Sequence, residues 1–196
     1  MRSVDDQQES DTDVDGRRDL AVAYGLLGRF LSAEIDADFL ASLSTVEMQR
    51  CLISMGIQTD ELTDESLGLL AVDYCQTFLG PRGHVSLHQS VAQTGLLDGP
   101  AVASMKEFLK CVRVPVRSGQ MIDHLGLQLT VYSAILAADD GQGEPVGQMA
   151  EQFFDSHVRW GSEVCRRASL VAQTDFYRAV LSVTIELIES GIVSKR

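Results

Sequence analysis

Segment after segment of this chain repeats its apolar residues at steps of three and four, and none alternates polar with apolar. Steps of three and four put side chains on one face of a helix, whereas a half-buried strand needs a step of two. Leu20, Ala23, Tyr24, Leu27, Phe30 and Leu31 form the first such stripe, in a helix opening near Arg18. A short helix follows over 37–43. Ser44 with Glu47 has the spacing of a capping box for a third, which stops at Gly56. Thr63 or Asp64 caps a fourth, whose inner face carries Leu67, Leu70, Ala71, Tyr74, Cys75 and Phe78 and which ends at Gly80-Pro81. Pro100 opens a fifth with Val102, Met105, Phe108, Leu109 and Val112 inward. Ile122, Leu125, Leu129, Tyr132 and Leu136 mark a sixth. One long helix is expected over 146–172, with Met149, Phe153, Trp160 and Val164 inward. The last is capped by Thr174-Asp175 and carries Phe176, Val180, Leu181, Thr184, Leu187 and Ile188. The fold class is therefore all-α: a single globular domain of about eight helices over 17–196, not a coiled coil, since no heptad is sustained.

Two segments fall outside this pattern. Residues 1–16 are acidic and nearly free of apolar side chains, so they are expected to be disordered. Residues 81–98, "PRGHVSLHQSVAQTGLLD", read as a loop too long for a plain connector, and such loops often carry function. "DDGQGEP" at 139–145 reads as an ordinary loop.

A net charge of −12 argues against nucleic acid and against anionic lipid surfaces, and suits a partner that carries positive charge. Cys51, Cys75, Cys111 and Cys165 lie far apart among apolar residues, which predicts free, buried thiols in a reducing compartment. Arg17-Arg18 before an apolar stretch has the look of a twin-arginine export signal. Six carboxylates precede the pair and Arg29 interrupts the apolar stretch, so both arginines read as surface residues of the first helical turn. No stretch is long and apolar enough to span a membrane.

The pair most suggestive of chemistry is Asp123-His124. Neighbours on a helix point about 100° apart, so the two do not face one another, and a dyad would need a further orienting group and a nucleophile. The structural alternative is a carboxylate at a helix N-terminus beside a partly buried histidine. His84 and His88 are four apart, but no carboxylate or cysteine neighbours them, so no metal site is expected. His157 reads as lying on the polar flank of its helix. No phosphate-binding glycine motif is present, and no cofactor is expected. Taken from the residues, a helical binding protein fits better than an enzyme.

Four landmarks, in order, carry a family resemblance: "LAVDYCQTFLGP" (70–81), "LHQSV" (87–91), "MIDHLGLQL" (121–129), and "FFDSHVRW" with "TDFYRAVL" (153–160 and 174–181). The chain is similar across about 18–190 to the redox-enzyme maturation chaperones of the TorD/DmsD/NarJ type. Gln120-Met121 stands where that family has Glu-Pro, and Leu87-His88 where it has Pro-aromatic. The resemblance implies a cytoplasmic chaperone, not an enzyme. Such a protein binds the twin-arginine signal peptide of a molybdopterin oxidoreductase in its apo-form and assists maturation before export. It implies a signal-peptide site drawn from Asp73, Tyr74, Leu87, His88, Ser90, Val91, Asp123 and His124, with Asp123 meeting an arginine or holding the loop that does, and His124 bonding across to the 81–98 loop. It also implies a monomer or a helix-swapped dimer. Two other readings remain open here: a small helical hydrolase or nucleotidase using Asp123 and His124, and a helical interaction module with another partner.

Overall fold

The structure is a computed structural model that describes residues 4–59, 62–138 and 144–193. Among these residues there are ten α-helices and no strand: α1 (Val4–Ser32), α2 (Ala37–Leu43), α3 (Val46–Ser54), α4 (Asp64–Tyr74), α5 (Gln89–Thr94), α6 (Pro100–Cys111), α7 (Leu125–Ala138), α8 (Glu144–Phe153), α9 (Gly161–Ser169) and α10 (Asp175–Val193). A π-helical turn extends α4 over Cys75–Leu79, and another extends α8 over Phe154–Val158. No helix among the described residues is long and apolar enough to cross a membrane.

The centre is α7. Its run LGLQLTVYSAILAA is apolar on all sides and buries Leu125 through Leu129, Val131, Tyr132, Ile135 and Leu136, where the sequence predicts a single stripe. A helix of that kind needs neighbours all round. The nearest is α1, and small residues set the approach. A Cβ on Gly126 would lie 2.7 Å from the Gly28 carbonyl oxygen and would also clash with the Ser32 hydroxyl; one on Gly28 would lie 2.7 Å from Thr130 Oγ1. The Ser133 hydroxyl donates across the seam to the Ala21 carbonyl at 2.6 Å. Tyr24 packs edge-on against Tyr132, and its hydroxyl donates to the Leu187 carbonyl of α10.

Three boundaries differ from expectation for local reasons. The first helix, expected to open near Arg18, begins at Val4, with 1–3 outside the described residues. Carboxylates near a helix N-terminus complement its dipole. Arg17 and Arg18 consequently lie well inside α1 rather than in its first turn. The third helix is capped by Thr45, whose hydroxyl accepts from the Met48 amide, not by Ser44. The long C-terminal helix is broken by the π turn, which directs Phe153, Phe154, His157 and Val158 inward together. The break lets Gly161 approach α7 and α10 so closely that a Cβ there would meet Leu125 Cδ1 at 2.7 Å. The loop expected at 139–145 lies mostly outside the described residues, and α8 begins at Glu144.

The thiols also differ. Only Cys165 is buried, and burial pushes it up to about 12; Cys51 is partly buried, while Cys75 and Cys111 are exposed.

Candidate functional site

Residues 81–98 are held against the start of α7. The first anchor is main chain: the Gln89 amide donates to the Asp123 carbonyl at 3.0 Å, and the Leu125 amide to the Leu87 carbonyl at 2.8 Å. This antiparallel bridge joins His88 to His124. The second anchor is the Asp123 carboxylate, which is 0% exposed. It accepts from the Ser90 amide at 3.0 Å and lies 3.4 Å from His88 Nδ1. Asp123 thus satisfies an otherwise free N–H in the first turn of α5, the short helix inside the expected loop. Burial by itself would raise its carboxyl. The Ser90 side chain and amide, with His88 nearby, outweigh that and hold it below the usual carboxylate range.

His124 has a different task. Its Nδ1 accepts from the Gly126 amide at 3.1 Å, so it caps α7, its own helix. The proton then sits on Nε2. Burial, assisted by His88 and opposed by Asp123, lowers His124 to about 4, so it is neutral at pH 7. Its ring meets that of His88 edge-on at 5.0 Å. Of the two roles expected for Asp123, the geometry is that of holding the loop, whereas the His124 side chain, expected to bond across to the loop, caps its own helix. With no exposed surface, Asp123 cannot touch an arginine from solvent. The same burial keeps the Asp123 carboxylate from acting on a substrate.

Beneath this joint lies a buried polar network. Gln128 Nε2 donates to Gln89 Oε1 at 2.7 Å, and Gln89 Nε2 donates to the Ser156 carbonyl at 2.7 Å. His157, 1% exposed, has Nδ1 2.9 Å from Gln89 Oε1 and Nε2 2.9 Å from the Ser104 hydroxyl. The pattern places its proton on Nδ1, with Ser104 as donor to Nε2. Trp160 Nε1 donates to Gln128 Oε1 and to the His157 carbonyl. Burial lowers His157 to about 4 against the opposing pull of Asp123. His157 is thus a core group, not the flank residue its sequence position predicts. Gln89, Gln128 and Ser104 were not candidates from sequence. A lone glutamine within an apolar run, as Gln128 is in LGLQLTVY, is the signal for such a network.

The eight candidate residues do not form one surface. Leu87 and Ser90 are buried with Asp123, while Val91, His88 and His124 are partly exposed around them. Asp73 and Tyr74 belong to a second buried cluster. Asp73 Oδ2 accepts from the Thr174 amide at 2.7 Å and its hydroxyl at 2.6 Å, and Oδ1 accepts from the Gln173 amide at 3.0 Å, fixing the start of α10. Burial would raise this carboxyl, but Thr174, Gln173 and Thr77 together hold it low. The Tyr74 hydroxyl donates to the Leu31 carbonyl.

Two open depressions are lined in part by residues of the 81–98 segment. One, of about 380 Å³, is lined by Leu97, Asp98, Val102, Lys106, Gln120, Met121 and Ile122 and adjoins Asp123 in sequence. The other, of about 320 Å³, is lined by Ala92, Gln93, Trp160, Glu163, Val164 and Arg167. Each sets one carboxylate beside one cation rather than presenting an acidic rim. Glu163 pairs with Arg166, whereas Asp98 has no ion pair among the described residues.

An all-helical domain that locks a long loop to its central helix through buried, unreactive groups is built for binding rather than catalysis. The model of the nitrate reductase delta subunit family matches residues 34–166, and the chain belongs to that family. Among curated proteins it is similar to the chaperone protein TorD of Shewanella sp. (strain MR-4), at 29% identity over 61% of this chain and 66% of the relative, so it spans just under two thirds of that protein. No solved structure matches the chain significantly. The resemblance read from the four landmarks to redox-enzyme maturation chaperones therefore holds.

Proposed function

We propose that this protein is a cytoplasmic chaperone for a molybdoenzyme subunit and binds that subunit's twin-arginine leader in the depression bounded by α6 and residues 120–122. The observation that carries the reading is the pairing of an apolar floor, made by Leu97, Val102, Met121 and Ile122, with the unpaired Asp98 carboxylate at its edge. A leader of this class has an apolar stretch that seeks such a floor and arginines that engage a carboxylate by charge-assisted bonds. Asp123 holds α5 and the connection behind it, so it positions this wall without touching the ligand. The hydrolase reading loses its support with the burial of Asp123 and the capping role of His124.

Titration with a fluorescent twin-arginine peptide tests the reading. Saturable binding is expected, weakened when both arginines become alanine and weakened about tenfold by Asp98→Asn, the loss of one charge-assisted contact. Absence of saturable binding, or equal affinity for the arginine-free peptide, overturns it.

A further inference from the structure

The depression assigned above to the leader holds two charges of opposite sign. Asp98 stands just before α6 and Lys106 lies on it; both are exposed and both line the depression. Among the described residues neither has an ion pair, so they do not pair with each other. The next lysine along the helix, Lys110, is taken by Glu107 at 2.8 Å. The remaining polar residue of the lining is Gln120, whose Oε1 accepts from the Arg117 amide at 3.0 Å and is held in that turn. Asp98 and Lys106 are thus the charges that this lining leaves to a ligand.

Their places give an order. Val102 and Lys106 are four apart and share a face of α6. Asp98 comes four residues before Val102, ahead of the helix start at Pro100. Carboxylate, apolar floor and ammonium therefore follow one another, over about 9 Å of helix from Pro100 to Lys106 at about 1.5 Å per residue. Leu97 and Met121, 57% and 38% exposed, carry the apolar surface out to the rim. An occupant that is only basic and apolar meets the carboxylate and the floor but sets its remaining charge against Lys106. One that also carries an acid satisfies all three, and that difference is what discriminates between them.

We propose that Lys106 selects among leaders: the segment bound here presents an arginine to Asp98 and a carboxylate to Lys106, with apolar side chains between. This rests on the reading of the depression as the leader site. An extended chain advances about 3.3 Å per residue, so the carboxylate stands about three or four residues from the arginine.

Three fluorescent twin-arginine peptides, alike except for Glu, Gln or Lys at that spacing, are titrated against the full chain at low salt. The Glu peptide should bind about fivefold tighter than the Lys peptide, with Gln between, as expected when one exposed attractive pair replaces a repulsive one. The preference should shrink as salt is added. Lys106→Gln should flatten it and Lys106→Glu should reverse it, with the melting curve unchanged because Lys106 is exposed. Asp98→Asn should weaken all three peptides alike. Saturable binding of all three with one affinity, or a Lys106→Glu effect of the same size on each, overturns the selection by Lys106 while the leader site stands. No saturable binding of any peptide overturns the leader site and this inference with it.

Discussion

His157 makes stability depend on pH in a way that can be isolated. In the folded chain burial lowers it to about 4, whereas in the unfolded chain it titrates near its ordinary 6.5. Below about pH 6.5 the unfolded state binds a proton that the folded state refuses, so stability falls as pH falls and levels off only below about pH 4. Each unit of separation is worth about 1.4 kcal/mol, so the loss from about pH 7.5 to about pH 4.5 is roughly 2.5 kcal/mol. Other groups titrate over the same range, His124 in the same direction, and surface carboxylates relieve repulsion as they protonate. Urea unfolding of the parent and of His157→Gln at matched pH cancels these shared contributions. The substitution costs about 2–3 kcal/mol at neutral pH, because it breaks the bonds to Ser104 and Gln89 in a buried site. That gap is expected to shrink by about 2.5 kcal/mol toward about pH 4.5, equivalent to about 5–10 °C in melting temperature for a chain of this size. A gap constant within about 0.5 kcal/mol, the scatter of an unperturbed surface site, would refute the assignment of His157 as a buried neutral group.

Asp123→Ala strips the Ser90 amide of its acceptor and should cost about 1–3 kcal/mol, with hydrogen exchange rising first in α5, as native-state exchange would show. Gly126→Ala forces a methyl into the α1–α7 seam and should lower stability by about 1–3 kcal/mol, read as a drop in melting temperature; an unchanged melt would mean the helices are not in backbone contact. Thiol labelling of the native chain should modify Cys75 and Cys111 readily and Cys165 only after unfolding, which mass spectrometry distinguishes.

Helix type was legible because the stripes of Leu20–Leu31 and Phe176–Ile188 face one way, but the number was not: ten helices stand where about eight are expected, since α5 lies in the expected loop and the 146–172 helix divides into α8 and α9. The interruption at Phe154–Val158 was not. A π turn inserts one residue without proline or glycine, and the inward set Phe153, Phe154, His157 and Val158 still resembles a helical stripe. For the candidate site, the sequence located the joint: Asp123, His124 and the 87–91 segment do meet. It could not say which side chain crosses and which caps, since both residue types do both. Nor could it separate Asp73 and Tyr74 from that joint, because the contacts that claim them come from α10 and from Leu31, far along the chain.

Trp160 is the chain's sole tryptophan, and its indole N–H is shared between Gln128 and the His157 carbonyl while its ring forms part of the wall beside α5. Indole emission follows the polarity and hydrogen bonding around the ring. The molecule thus carries a native optical probe wired through Gln128 and Gln89 to the α5 joint. Anything that pulls that joint out of register will alter its colour or brightness, with no label attached.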